Sequence, residues 1–251
     1  MMRSVIQKLA GILLILSAGT AFSAVKTVYS ASELKNILQS ASLQGGDTVL
    51  VADGRYSPGW ISMTAQGRDD APIVIRALNS GQAELYGSTT LNLKKAAWVE
   101  IEGFLFSMTA YTAIKLEACH HISIRANRFR LTEESGESGK WLYIGGIWND
   151  PEALSHDNII EYNSFEEKHE AGNFITIDGG SSVSRNDIIR WNSFRNIGPR
   201  RENEMEAIRI GYSELSLTMG RTLVEHNYFE NCDGDPRPQR PPHPDPEQSR
   251  P

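Results

Sequence analysis

Cysteine is scarce in this chain, basic clusters are missing, and apolar runs are short. The two cysteines, Cys119 and Cys232, lie 113 residues apart. Such a pair is no disulfide framework; a single bridge and two half-buried thiols both stay open. No stripe of Lys and Arg marks one face, which argues against a nucleic-acid partner, and the formal charge is −6. The longest N-terminal apolar run, Leu9 to Leu16, is too short to span a bilayer. Lysine does not occur after Lys168, and Pro236 to Pro251 holds seven prolines in 16 residues with no aliphatic or aromatic side chain.

The N-terminus carries an export pattern. Arg3 and Lys8 precede the apolar run, and Ala21-Phe22-Ser23 supplies small residues at the two positions a signal peptidase inspects. Residues 1–23 therefore read as a signal peptide, with a membrane anchor as the alternative. The mature chain is expected to be secreted or periplasmic, with no membrane association after signal removal. Cleavage removes two positive charges and moves the formal charge from −6 to −8.

One helix is legible. Ser30-Ala31-Ser32-Glu33 has the form of a capping box. Leu34, Ile37 and Leu38 follow at helical spacing, which predicts a helix from Ala31 to Ala41. Beyond Gly45-Gly46-Asp47 the pattern is strand, turn, strand: Thr48 to Ala52, Ile73 to Ala77, then Trp98 to Gly103.

A repeat then emerges. Four units end in Asn-x-Phe, with asparagines at Asn127, Asn163, Asn192 and Asn227, spaced 36, 29 and 35 residues apart. Three residues before each stands Ile124, Ile160, Ile189 or Val224; two before stands Arg125, Glu161, Arg190 or Glu225. That parity suits a strand with one face inward. Asparagine tolerates the left-handed backbone of a tight turn. Stacked asparagines can bond from coil to coil, and Phe can stack on Phe. A strand unit recurring at such a period indicates a solenoid or propeller; the uneven spacing favours the solenoid. The expected fold is an all-β parallel β-helix over residues 24–235, with the Ala31–Ala41 helix capping its first coil. An antiparallel sandwich is the alternative.

Two long polar stretches, Thr132 to Asp157 and Arg195 to Glu206, read as loops where function concentrates. Trp141 and Tyr143 could stack on sugar rings or pack inside. Arg200 and Arg201 could attract a polyanion or solvate a loop. His120-His121 reads as structural, because neighbours on a strand face opposite ways.

The segments Asn203-x-x-Glu206-x-Ile208-Arg209-Ile210-Gly211 and Asn227-x-Phe229-Glu230-x-Cys232-Asp233-Gly234, with the opening Gly46 to Tyr56, resemble polysaccharide lyase family six. That family includes chondroitinase B and the alginate lyases, and the resemblance covers Val25 to Asp235. It implies a right-handed parallel β-helix that cleaves uronate polymers by calcium-assisted β-elimination. In that chemistry a cation neutralises the substrate carboxylate, a lysine takes the neighbouring proton and an arginine supports the developing charge. Calcium takes oxygen ligands. By resemblance Asn203 and Asp235 are metal ligands, and Arg209 and Glu206 contact substrate. The implied partner is an acidic polysaccharide, alginate first and chondroitin or dermatan sulfate next, bound by a monomer.

The resemblance also defines what is missing. A second acidic ligand is expected at position 237, which is Arg237; the base lysine and its arginine are expected further on and do not appear. The change of character at Pro236 reads as a shifted reading frame or truncated gene, with a natural Pro-rich disordered tail as the alternative. The catalytic set is therefore empty, and the chain is expected to be inactive, or to be a non-catalytic β-helix that binds acidic polysaccharide.

Overall fold

The computed structural model describes residues 23–134, 138–199 and 205–233. Almost all of the expected signal peptide and the whole Pro-rich segment lie outside them.

Helix α1 (Ala31–Leu38) is built as its sequence suggests. Ser30 Oγ accepts from the Glu33 amide at 3.2 Å, while Glu33 Oε2 accepts from the Tyr29 amide at 2.8 Å, one residue earlier than in a regular capping box. The helix ends three residues before Ala41, where Ser40 Oγ accepts from the Ser42 amide and turns the chain. Leu34 and Leu38 join the core, and Lys35 Nζ donates to Pro58 O at 3.2 Å.

After α1 the chain winds through three sheets in rotation. The described residues form one sheet of eight strands, from Val25–Val28 to Leu223–Glu225, and two of seven. The second runs from Gly54–Tyr56 to Tyr228–Cys232, the third from Trp60–Met63 to Ile208–Ile210. Every pairing between coils is parallel; only Asp150–Leu154 runs antiparallel, to Gly139–Ile147. Each strand pairs with its counterpart one coil away, the arrangement of a parallel β-helix. The antiparallel sandwich is thereby excluded.

The repeat occupies a corner. Ile124, Ile160 and Ile189 point inward from the first sheet, and Phe129, Phe165 and Phe194 point inward from the second. Their rings stack at 4.5 and 5.1 Å, and the column extends to Phe106 at 4.6 Å and Phe229 at 5.0 Å. Each fully buried ring contributes roughly 1.5–3 kcal/mol. Between the strands runs an amide ladder: Asn127 Nδ2 donates to Asn163 Oδ1 at 3.1 Å, Asn163 to Asn192 at 3.0 Å, and Asn192 to Asn227 at 3.0 Å.

One expectation needs correction here. The left-handed residue is not the asparagine but the one before it: Ala126 (φ 53), Tyr162 (φ 56), Trp191 (φ 53) and His226 (φ 53). That bend turns its own side chain outward and the asparagine inward. The asparagines are there to satisfy buried backbone groups: Asn163 Oδ1 also accepts from the Asn127 amide, and its Nδ2 donates to Ile124 O.

The Thr132–Asp157 stretch is likewise more than a loop, since it contains the nine-residue strand Gly139–Ile147. Trp141 lies in the core, edge-on to Phe174 at 4.8 Å. Both cysteines are free thiols; burial pushes that of Cys119 up to about 12. No helix among the described residues is long and apolar enough to cross a membrane.

Candidate functional site

The outer face of the third sheet carries a cleft of about 930 Å³. Parallel register builds it. Lys115 pairs in register with Tyr143, Tyr143 with Thr176, and Thr176 with Arg209; Lys115, Tyr143 and Arg209 line the cleft, while the Thr176 hydroxyl is buried between them. At about 4.8 Å between strands the row is roughly 14 Å long.

Tyr143 forms the centre of this row. Gly145, two residues on and on the same face, leaves space for it: a Cβ there would meet Tyr143 Oη at 2.4 Å. Lys115 Nζ and Lys140 Nζ each lie 5.7 Å from the ring centroid, within cation–π range. Burial, followed by the charges of Asp178 and Glu117, raises the phenol above its ordinary value, so it stays protonated and available as a donor. Lys115 is paired with Glu117 at 2.8 Å, and Lys140 with Asp178 at 3.7 Å. Arg209 Nε donates to Gly211 O at 3.1 Å. The cleft thus mixes three cations with carboxylates and the half-buried phenols of Tyr143 and Tyr212, a surface suited to a hydroxylated, charged polymer.

Of the residues singled out from sequence, Arg209 and Tyr143 line this cleft. Glu206 does not; its Oε2 accepts from the buried Asn173 amide at 2.6 Å, and Asn173 Oδ1 accepts from Thr176 Oγ1 at 3.1 Å. This chain of bonds ties Glu206, just before the strand that carries Arg209, to the neighbouring coil. Asn203, Asp235, Arg200 and Arg201 lie outside the described residues. Among the described residues, no three His, Cys, Asp or Glu side chains are grouped to hold a metal ion.

His120 and His121 depart from simple strand alternation. His121 is left-handed (φ 54), which brings the two Nδ1 atoms to 2.9 Å. His121 stacks on Trp98 at 3.9 Å and His120 on His156 at 4.9 Å. The structural reading stands, by contacts that the alternation rule does not anticipate.

Sequence reasoning missed Lys115, Lys140 and Asp178. The repeat is anchored on Asn-x-Phe, and the distance from that anchor to the cleft row varies: 16 residues from Asn127 to Tyr143, 13 from Asn163 to Thr176, 17 from Asn192 to Arg209. Uneven corners hide the row from any fixed-period reading.

The chain is thus a parallel β-helix with a charged cleft on the outer face of one sheet. The family model for Chondroitinase B matches residues 28–237, and the chain belongs to that family. Its fold is similar to that of a PL6 family polysaccharide lyase from Pseudopedobacter saltans, with a TM-score of 0.64 and 22% identity over 82% of this chain and 46% of the other. A mannuronic-acid-specific family 6 lyase from the human gut microbiota gives 0.65 and 23% over 84% and 50%. A PL6 alginate lyase solved with a trisaccharide gives 0.61 and 19% over 84% and 48%. The chain spans about half the length of these structures. No curated protein matches it.

Proposed function

We propose that this chain binds uronate-containing polysaccharide, alginate first and chondroitin or dermatan sulfate next, along the row from Lys115 to Arg209. One observation carries the reading: parallel register sets the Lys115 ammonium, the Tyr143 phenol and, two coils on, the Arg209 guanidinium along one cleft. Arginine can grip a sugar carboxylate with two parallel bonds, and a phenol ring can lie against a pyranose face while its hydroxyl bonds a sugar oxygen.

Turnover by β-elimination needs a group able to take a proton. In the cleft both lysines are tied to carboxylates and the Tyr143 phenol holds its proton. The reading is therefore binding without elimination by this chain alone. Calcium belongs to the proposal only through Asn203 and Asp235. A calcium-dependent rise in Tm, lost in Asn203→Ala, tests that part. The same proposal includes a right-handed coil closed at its first turn by α1, a monomer in solution, and export, with a mature N-terminus near Ala24 by mass spectrometry.

Electrophoresis through gels containing alginate or dermatan sulfate tests the reading. The chain should be retarded, less so with added salt, and less in Lys115→Ala/Arg209→Ala. No ultraviolet absorbance from unsaturated uronate should accumulate. Free migration through both polymers at low salt would refute binding; product formation would refute the lack of turnover.

A further inference from the structure

A second exposed row runs along the corner between the first and second sheets, on a different face from the cleft. It consists of the left-handed residues that precede the ladder asparagines, with Gly103, which precedes Phe104, in the same register one coil before Ala126. A left-handed backbone costs a residue with a Cβ roughly 1–2 kcal/mol, and glycine avoids that cost. The early coils place small residues there, Gly103 (φ 77) and Ala126 (φ 53). The later coils place rings there: Tyr162, Trp191 and His226. These rings are not core residues, for Tyr162 is 56% and Trp191 40% exposed.

The rings form a stack whose Tyr162 end opens on a groove. Tyr162 and Trp191 lie 5.0 Å apart at 20°, and Trp191 and His226 lie 6.1 Å apart at 16°. The Arg190 guanidinium also sits 4.3 Å from the Trp191 ring. Beyond Tyr162 the next rung is Ala126, which has no ring to offer. One rung further, Ser80 packs over Gly103, with its Oγ 3.6 Å from where a Cβ would stand. Between the open face of Tyr162 and Ser80 there is thus a slot at the level of Ala126. It belongs to an open groove of about 570 Å³ along the corner, which Arg128 and Ser164 also line.

We infer that this slot is a second glycan-binding site, in which a pyranose ring of a polysaccharide takes the place of the missing ring of the stack. A sugar ring presents a flat C–H face to Tyr162 and hydroxyls to its rim, where Ser80 and the Arg128 guanidinium stand. The rim charges are paired, Arg128 with Glu166 at 2.7 Å and Arg190 with Glu161 at 2.8 Å. The site is independent of the cleft and adds a second point of attachment for the same polymer, which raises retention by avidity.

Affinity electrophoresis of the full chain through alginate gels, with Tm measured in parallel, tests it. In the Lys115→Ala/Arg209→Ala background, residual retardation should persist and fall by about five-fold with Tyr162→Ala. Ala126→Tyr fills the slot with a ring on an already left-handed backbone. It should remove the same share of retention while Tm holds or rises, so lost binding is not lost folding. Unchanged retention in both Tyr162→Ala and Ala126→Tyr would overturn the inference, as would complete loss of retention in the cleft variant alone. Failure of the cleft reading looks different: there Lys115→Ala/Arg209→Ala changes nothing and Tyr162→Ala removes all binding.

Discussion

Asn158 Nδ2 donates to Asp187 Oδ1, one coil further on, at 2.9 Å, and both side chains are fully buried. This pair forms a second ladder at the corner between the third and first sheets. Asp187 Oδ1 also accepts from the Asn158 amide at 3.1 Å, but its Oδ2 has no partner. Nor has Thr222 Oγ1, which occupies the same register in the next coil. Burial raises the Asp187 carboxyl above its ordinary range, against the hydrogen bonds from Ser184 and Asn158.

A raised carboxyl binds its proton more tightly folded than unfolded. Its stabilising effect is therefore present at acid pH and is lost as pH rises from the unfolded value through the folded one. Asp187→Asn supplies an amide at Oδ2, as the Asn127 ladder does. It should gain about 1–3 kcal/mol at neutral pH, with the difference shrinking below about pH 4. Tm measured against pH for both proteins checks this; an equal or lower Tm for Asp187→Asn at neutral pH contradicts it.

The first ladder gives the converse experiment. Asn163→Ala strands the Asn127 amide and side chain and frees Ile124 O. A loss of about 3 kcal/mol is expected, read as a lower urea midpoint. Asn163→Asp should be nearly as damaging at neutral pH and milder in acid, where the carboxyl can carry a proton.

Gly145→Ala tests the cleft without touching a charge. The new Cβ would meet the far end of Tyr143, 2.4 Å from Oη and 2.6 Å from Cζ. The phenol can swing aside, so stability should change by less than about 1 kcal/mol. Retention on polysaccharide should weaken, because the ring no longer lies in the row. Unaltered retention would remove Tyr143 from the binding surface.

Lys168 is buried where the next two coils place Ile197 and Cys232. Its Nζ is held by the Glu133 carboxylate, by Ala171 O at 3.0 Å and by the Trp141 ring at 5.5 Å. Lys168→Ala leaves Glu133 without its cation and should cost about 3–5 kcal/mol. Lys168→Met combined with Glu133→Gln should recover much of that loss, measured by thermal unfolding of the singles and the double.

Legibility in the sequence followed distance along the chain. Ser30 and Glu33 betray the helix because a cap is a local matter. Asn-x-Phe betrays the coil because one corner keeps the same length from turn to turn. The Asn158–Asp187 ladder escaped because its members differ in residue type, and the Lys115–Arg209 row because variable corners separate its members. The left-handed position was assigned to asparagine on propensity; the fold uses that side chain inside and bends the backbone one residue earlier. The resemblance assigns Glu206 to substrate; its hydrogen-bond partner Asn173 is 33 residues away, out of reach of a local reading.

The residue ahead of each ladder asparagine is fixed in backbone and free in side chain. Nothing in the core depends on whether it is alanine, tyrosine, tryptophan or histidine. The helix therefore carries along one edge a line of interchangeable display positions set at the spacing of its strands. New surface chemistry can be written there one coil at a time, while the stacked phenylalanines beneath keep their places.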